Sequence, residues 1–267
     1  MLDLLRCEFA KLRRKPLFFA AAAVSALLPL GCALFLPDFQ EFTSGAEAVD
    51  GMMSTLFQMS AYLLLMPALV VLASNLIFEE QDNDTLKNLM TVPVSKPALA
   101  TAKMMLLLLF AIAFMAVGGL VILFIVLAAG WEPVGFLRLF FVGIGQGIMM
   151  WAGALPCILL VVLLNRSYII SVIVTFFYTA VNYIFSMSEI FTTQPFGLNL
   201  GTLLPGPLTF RWYFQYLDFS SPSAEMAALL ERIGPYFLNT TQAFLVTGVE
   251  AVVFLALIAL VYKRQGV

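Results

Sequence analysis

The sequence contains no histidine. That removes His-ligated metals, histidine general bases and Ser-His or Cys-His nucleophiles together. Charge is scarce as well: 11% of the 267 residues are Asp, Glu, Lys or Arg, against about 25% in soluble globular chains. No GxxxxGK[ST] run occurs, so the chain lacks a P-loop with which to hold ATP itself. Asp82-Asn83-Asp84 is the nearest approach to an acidic metal motif, and no second acidic cluster at a span end converges with it. No apolar run carries an aspartate, which excludes an intramembrane aspartic dyad. An enzyme is therefore not expected, nor a metal or cofactor held by this chain. Nothing basic beyond the N-terminus suggests nucleic acid.

What the chain does have is apolar length. Six runs suffice to cross a bilayer, each near the required length of about 20 residues: 17–36, 55–78, 104–128, 137–164, 168–187 and 241–262. The expected fold class is all-α, a polytopic membrane protein forming a single transmembrane domain over residues 1–267. The stretch MLDLLRCEFAKLRRK ahead of the first run is long for a signal n-region and contains acids, so that run is expected to be retained.

Lysine and arginine set the sidedness. With the N-terminus inside, Arg6, Lys11, Arg13, Arg14, Lys15, Lys87, Lys96, Lys103, Arg166, Lys263 and Arg264 are cytoplasmic. Only Arg138, Arg211 and Arg232 fall outside. Both termini are thus expected in the cytoplasm. Cys7, Cys32 and Cys157 then occupy cytoplasmic or membrane segments, so no disulfide framework is implied.

Residues 2–15 read as an amphipathic interfacial helix. Leu2, Leu5, Phe9 and Leu12 recur at helical spacing and the bases take the other faces. The stretch EEQDNDTLKNLMTVPVSK (79–96) interrupts the apolar pattern on the cytoplasmic side between the second and third runs. Asn83 or Asp84 suits a helix cap, Leu86, Leu89 and Met90 share one face, and Pro93 stops the turn. A loop without a core cannot bury that face, so it is read as a knob for another protein's groove. A helix on the membrane surface is the rival, disfavoured by acids next to an anionic leaflet. Outside, residues 188–240 are apolar and aromatic, and Leu198–Leu204 is too short to span, which suits re-entrant or interfacial placement. Met226, Leu229, Leu230 and Ile233 form the stripe of a later surface or lid helix.

Three features lie inside the apolar runs. Gly143 and Gly147 make a GxxxG pair that allows close helix approach. Ser171, Thr175, Thr179, Asn182 and Ser186 share one face of the fifth run. Interhelical hydrogen bonding and a substrate path both account for that stripe. Glu250 is the one ionisable residue deep in a run. A charge there is expensive and marks a functional position by default.

The N-terminal CEFAKLRRKPLF, the run FEEQDNDTLKNLMTVPVSKPALATAKMM and six runs with the longest external segment before the last resemble the ABC-2 permeases. Among these, the chain looks most like the bacterial permeases that confer resistance to bacitracin and lantibiotics. The motif-like residues are Glu79 or Glu80, Thr85, Leu89, Pro93, Val94, Ser95 and Lys103, with Asp84 where the family has Gly. The resemblance implies a half-transporter in a bacterial cell membrane. Two permease chains, identical or homologous, pair with two copies of an ABC ATPase subunit that carries ATP and Mg. Glu79, Glu80, Asp84, Thr85, Leu86, Leu89, Met90 and Pro93 would form the coupling element, and an amphiphilic peptide would be the substrate. Export of a lipid, polysaccharide or drug is the alternative within transport. A membrane sensor or scaffold recruiting a cytoplasmic partner is the alternative outside it.

Overall fold

The computed structural model describes residues 2–12, 16–35, 42–82, 95–164, 168–218 and 224–264. Among them there is no strand, and the chain is an all-α polytopic membrane protein. Each of the six apolar runs falls on a long helix, and five of these helices are long and apolar enough to cross a membrane. The first apolar run occupies α2 (Pro16–Phe35), preceded by α1 (Leu2–Leu12).

The second run sits in a longer stack than hydropathy suggests. Helix α3 (Gly45–Thr55), a π-helical stretch (Leu56–Leu65) and α4 (Met66–Asp82) follow one another without a break. Ser44 starts the stack by accepting the Glu47 N–H, while Glu47 accepts from the N–H and hydroxyl of Thr43, a close variant of the capping box. Glu47 and Asp50 end the apolar run but not the helix. In the π stretch the Met66 N–H reaches back five residues to the Ala61 carbonyl.

Helix α5 (Lys96–Ala128) has 33 residues, about 50 Å at 1.5 Å each. The hydrocarbon layer is about 30 Å thick, so the helix outruns it and begins eight residues before the apolar run 104–128. Ser95 precedes it and Pro97 stands in its first turn, where a missing N–H costs nothing. Its end is a Schellman motif: Gly130 at φ 78° donates to Leu127, and Trp131 donates to Val126.

Helix α6 (Phe136–Leu164) is the centre of the bundle and packs on α5, α4 and the last helix. Small residues let it do so. A Cβ at Gly147 would stand 3.0 Å from the Ala111 carbonyl oxygen, and one at Gly143 would stand 3.2 Å from the Phe57 ring. Helix α7 (Tyr168–Met187) turns Phe176, Phe177 and Ile184 outward and its polar stripe inward.

The segment after α7 holds α8 (Glu189–Thr192), α9 (Leu200–Leu203), α10 (Pro205–Tyr213) with a 3-10 turn (Phe214–Tyr216), and α11 (Ala224–Ile233) with a second such turn (Gly234–Tyr236). The closing span is α12 (Thr240–Arg264). Leu198, Leu200 and Leu203 are exposed, whereas every residue of α10 is buried, packed on α7 and α6. The element that enters the bundle is thus the one after the expected Leu198–Leu204. Pro205 seats against Gly153, Gly206 lies on the Asn182 backbone, and the aromatic residues Phe210, Trp212, Tyr213 and Phe214 supply more apolar area than the leucines before them. Helix α11 lays Met226, Leu229 and Leu230 on the core and buries Ile233.

Candidate functional site

On the side where α4 ends and α5 begins, Glu79 and Glu80 fall on the last turn of α4. Asp84, Thr85, Leu86, Leu89, Met90 and Pro93 lie outside the described residues. What the structure does describe is the framework that holds both arms of that segment. Lys103 Nζ stands 3.3 Å from Glu8 Oε2 and donates to the Leu76 carbonyl at 2.7 Å. One nitrogen thus joins α1, α4 and α5. Lys103 and Glu8 are 1% and 2% exposed, so this is an ion pair removed from water. At the next residue, the Trp151 indole donates to the Met104 carbonyl and ties in α6.

Sequence reasoning counted Lys103 among the cytoplasmic bases and the motif-like residues, and the structure buries it. A signal was present: its neighbours at helical spacing, Leu99, Ala100, Leu106 and Leu107, are all apolar, and all are buried. Of the expected stripe of helix α1 only Phe9 is described; Leu2, Leu5 and Leu12 lie outside the described side chains. Leu4 packs on the core and Glu8 is buried against α5, while Phe9 is half exposed.

A second polar zone lies inside the bundle. Ser171, Thr175, Thr179, Asn182 and Ser186 are all buried. Several of them satisfy carbonyls of their own helix, as Thr175 does for Ser171 and Ser186 for Tyr183. Asn182 also works between elements: its Oδ1 accepts the Gly206 N–H at 3.1 Å and so holds the start of α10. The Tyr62 hydroxyl donates to the Gly206 carbonyl at 2.9 Å and meets the Thr209 hydroxyl. Gln146 Nε2 donates to the Phe57 carbonyl at 2.8 Å, which links α6 to the π stretch. Thr179 Oγ1, Ser60 Oγ and Gln146 Oε1 are buried polar atoms in this zone with bonding capacity left over.

Glu250 lies partly buried near the middle of α12 and forms no ion pair among the described residues. The Tyr178 hydroxyl donates to the Gly153 carbonyl at 2.6 Å. Tyr178 is one helical turn from both Thr175 and Asn182, so this bond ties the polar stripe to α6. The stripe itself faces the interior of this chain, against α4, α6 and α10.

Arg211, counted by sequence among the bases on the outer side, is 1% exposed on α10. Its Nε donates to the Tyr236 carbonyl at 2.8 Å and its Nη1 to the Gly201 carbonyl at 3.0 Å. Burial lowers its pKa from the ordinary value, though a guanidinium keeps its proton regardless. It fastens α9, α10 and the turn before α12 into one piece. Arg138 on α6 adds a bond to the Tyr216 carbonyl. Among the described residues no group of three or more metal-ligating side chains occurs.

Residues 4–182 match the family model described as ABC-2 family transporter protein. No curated protein sequence matches the chain.

Proposed function

The chain belongs to the ABC-2 transporter family, and from that premise we propose that it is one permease of an exporter moving an amphiphilic peptide antibiotic out of a bacterial cell membrane. It is a multi-pass membrane protein, the transmembrane component of an ABC transporter rather than its ATPase. Its partner is accordingly an ABC ATPase. In the proposed assembly two copies of that ATPase serve two permease chains, with both termini of each permease in the cytoplasm.

The observation that carries this reading is the extent of the match. It spans residues 4–182, a range that includes the polar segment 79–96. The match is consistent with reading that segment as the contact to the ATPase. Leu86, Leu89 and Met90 form the apolar face that enters the ATPase. The peptide as substrate is supported by the resemblance of Glu79–Lys103 to the antibiotic-resistance permeases and by a lone acid, Glu250, suited to a cationic group.

Replacing Leu86, Leu89 or Met90 with Asp tests the coupling. A charge forced into an apolar groove without a partner costs several kcal/mol, about 2 kcal/mol or more even with partial relief. Loss of that size lowers ATPase binding at least about 30-fold. We expect the variants to insert normally and to stop copurifying with the ATPase expressed beside them. Normal copurification and normal resistance to bacitracin or a lantibiotic would sink the reading. Normal copurification with no resistance phenotype in the wild type would leave the ATPase pairing standing and point to a lipid, polysaccharide or drug.

A further inference from the structure

The ion pair between Glu8 and Lys103 is a poor device for stability alone. Two charges taken out of water recover little more than they lose, and a well-packed apolar pair commonly does as well. Apolar neighbours abound here, with Leu4, Leu99 and Met104 beside the pair. What an ion pair supplies that leucines do not is a single permitted register. An apolar face of α1 would slide along α5, whereas Glu8 meets Lys103 in one position only.

The position matters. Leu76, which accepts the second Lys103 bond, lies six residues before Asp82, the last residue of α4. Lys103 lies seven residues after Lys96, the first residue of α5. The three-way contact is therefore about two helical turns, or about 10 Å, up each helix from the end that adjoins residues 83–94. Helices transmit displacement over that distance without bending. Helix α1 also leads into α2, which packs on α5 and on the π stretch.

We propose that the Glu8–Lys103 pair, with the Leu76 carbonyl, is a rigid joint that makes α1 move as one body with the two arms of residues 83–94. It passes a displacement of that segment to α2 as well as to α4 and α5. Glu8 and Lys103 are positioning residues for this coupling and touch neither ATP nor substrate. The inference rests on the reading of residues 83–94 as the ATPase contact.

The test uses the full permease with its ATPase in lipid nanodiscs. One spin label is placed on the exposed native Cys7 and one on a cysteine at exposed Ser95, a pair that reads the joint. A second pair, at Ser95 and exposed Leu163 with Cys7 replaced by Ser, reads movement of the segment against α6. Distances are measured without nucleotide and after trapping with ATP and vanadate. In the wild type the Ser95–Leu163 distance changes and the Cys7–Ser95 distance stays narrow and constant. In Glu8→Gln and Lys103→Met the Cys7–Ser95 distribution widens at least twofold, while the ATPase still copurifies. Should either variant fail to accumulate, the double variant E8M/K103M fills the volume without the charges and is expected to widen in the same way. A Cys7–Ser95 distance that shifts on trapping in the wild type, or stays narrow in the variants, overturns the joint. A wild type that recruits no ATPase overturns the transporter reading first and the joint's role with it.

Discussion

Gly206 is the point at which α10 meets α7, and adding one methyl there should pull the two apart. A Cβ at Gly206 would fall 2.2 Å from the Asn182 carbonyl oxygen and 2.9 Å from its carbonyl carbon. Both are backbone atoms of a long helix, so no side chain is available to swing aside. Ordinary contact begins near 3.4 Å, and the two elements must separate by more than 1 Å. Overpacking of this kind costs about 1–3 kcal/mol. The same displacement stretches the Gly206 N–H bond to Asn182 Oδ1 and the Tyr62 hydroxyl bond to the Gly206 carbonyl, each worth about 1 kcal/mol. Gly206→Ala should therefore destabilise by about 3–5 kcal/mol, a fall of about 10 °C in the unfolding midpoint for a chain of this size. Gly248→Ala is the control. It lies within α12 with nothing inside 4 Å of the added atom, and Ala exceeds Gly in helix propensity by about 1 kcal/mol, so its midpoint should hold or rise. The assay is thermal unfolding of the detergent-solubilised variants followed by tryptophan fluorescence, with limited proteolysis of the external segment as a second readout. Equal midpoints for the two variants would refute the close seating of α10 on α7.

Two further outcomes follow from sidedness and from the lone acid. A cysteine at exposed Ser44 should react with a membrane-impermeant thiol reagent in whole cells, and one at Asn83 should not; the reverse pattern inverts the orientation. Glu250→Gln should lower resistance to a cationic peptide with little change in membrane abundance, whereas Glu250→Leu at a merely structural position would mainly lower abundance. Full resistance and normal abundance of the Gln variant would retire Glu250 from the substrate path.

Much of the fold was legible because a bilayer imposes its thickness on the chain. A run of apolar residues long enough to cross can hardly be anything but a helix, and each such run falls on one. The helix starts were less legible. Hydropathy sees only the part inside the lipid, so Glu47 and Asp50 in α3 and Lys96 in α5 concealed how far those helices continue. The π stretch left no mark, since Leu56–Leu65 has the same apolar character either way. The entry of α10 rather than Leu198–Leu204 was hidden for a different reason. Both are apolar and bounded by Gly and Pro, and the choice depends on Gly153 and Asn182, more than twenty residues away in the sequence. Pairings across long separations, such as Glu8 with Lys103, have no local signature. Only the apolar company of Lys103 hinted that it was not a surface base. The stripe on α7 was legible as one face. That Asn182 anchors Gly206 and that Tyr178 ties the stripe to Gly153 emerged from the packing alone.

The distance in sequence between Glu8 and Lys103 has a consequence for how the protein is made. The two are separated by 95 residues, and a chain grows at about 5–20 residues per second. Glu8 leaves the ribosome about 5–20 seconds before its partner exists. During that interval α2 and the α3–α4 stack are already being inserted, while α1 has no site to occupy. Helix α1 thus waits for α5 before it can take its place. For those seconds Glu8 has to wait in water or at the lipid headgroups, where a carboxylate is at ease, and this is a reason for a charge where a leucine would pack equally well.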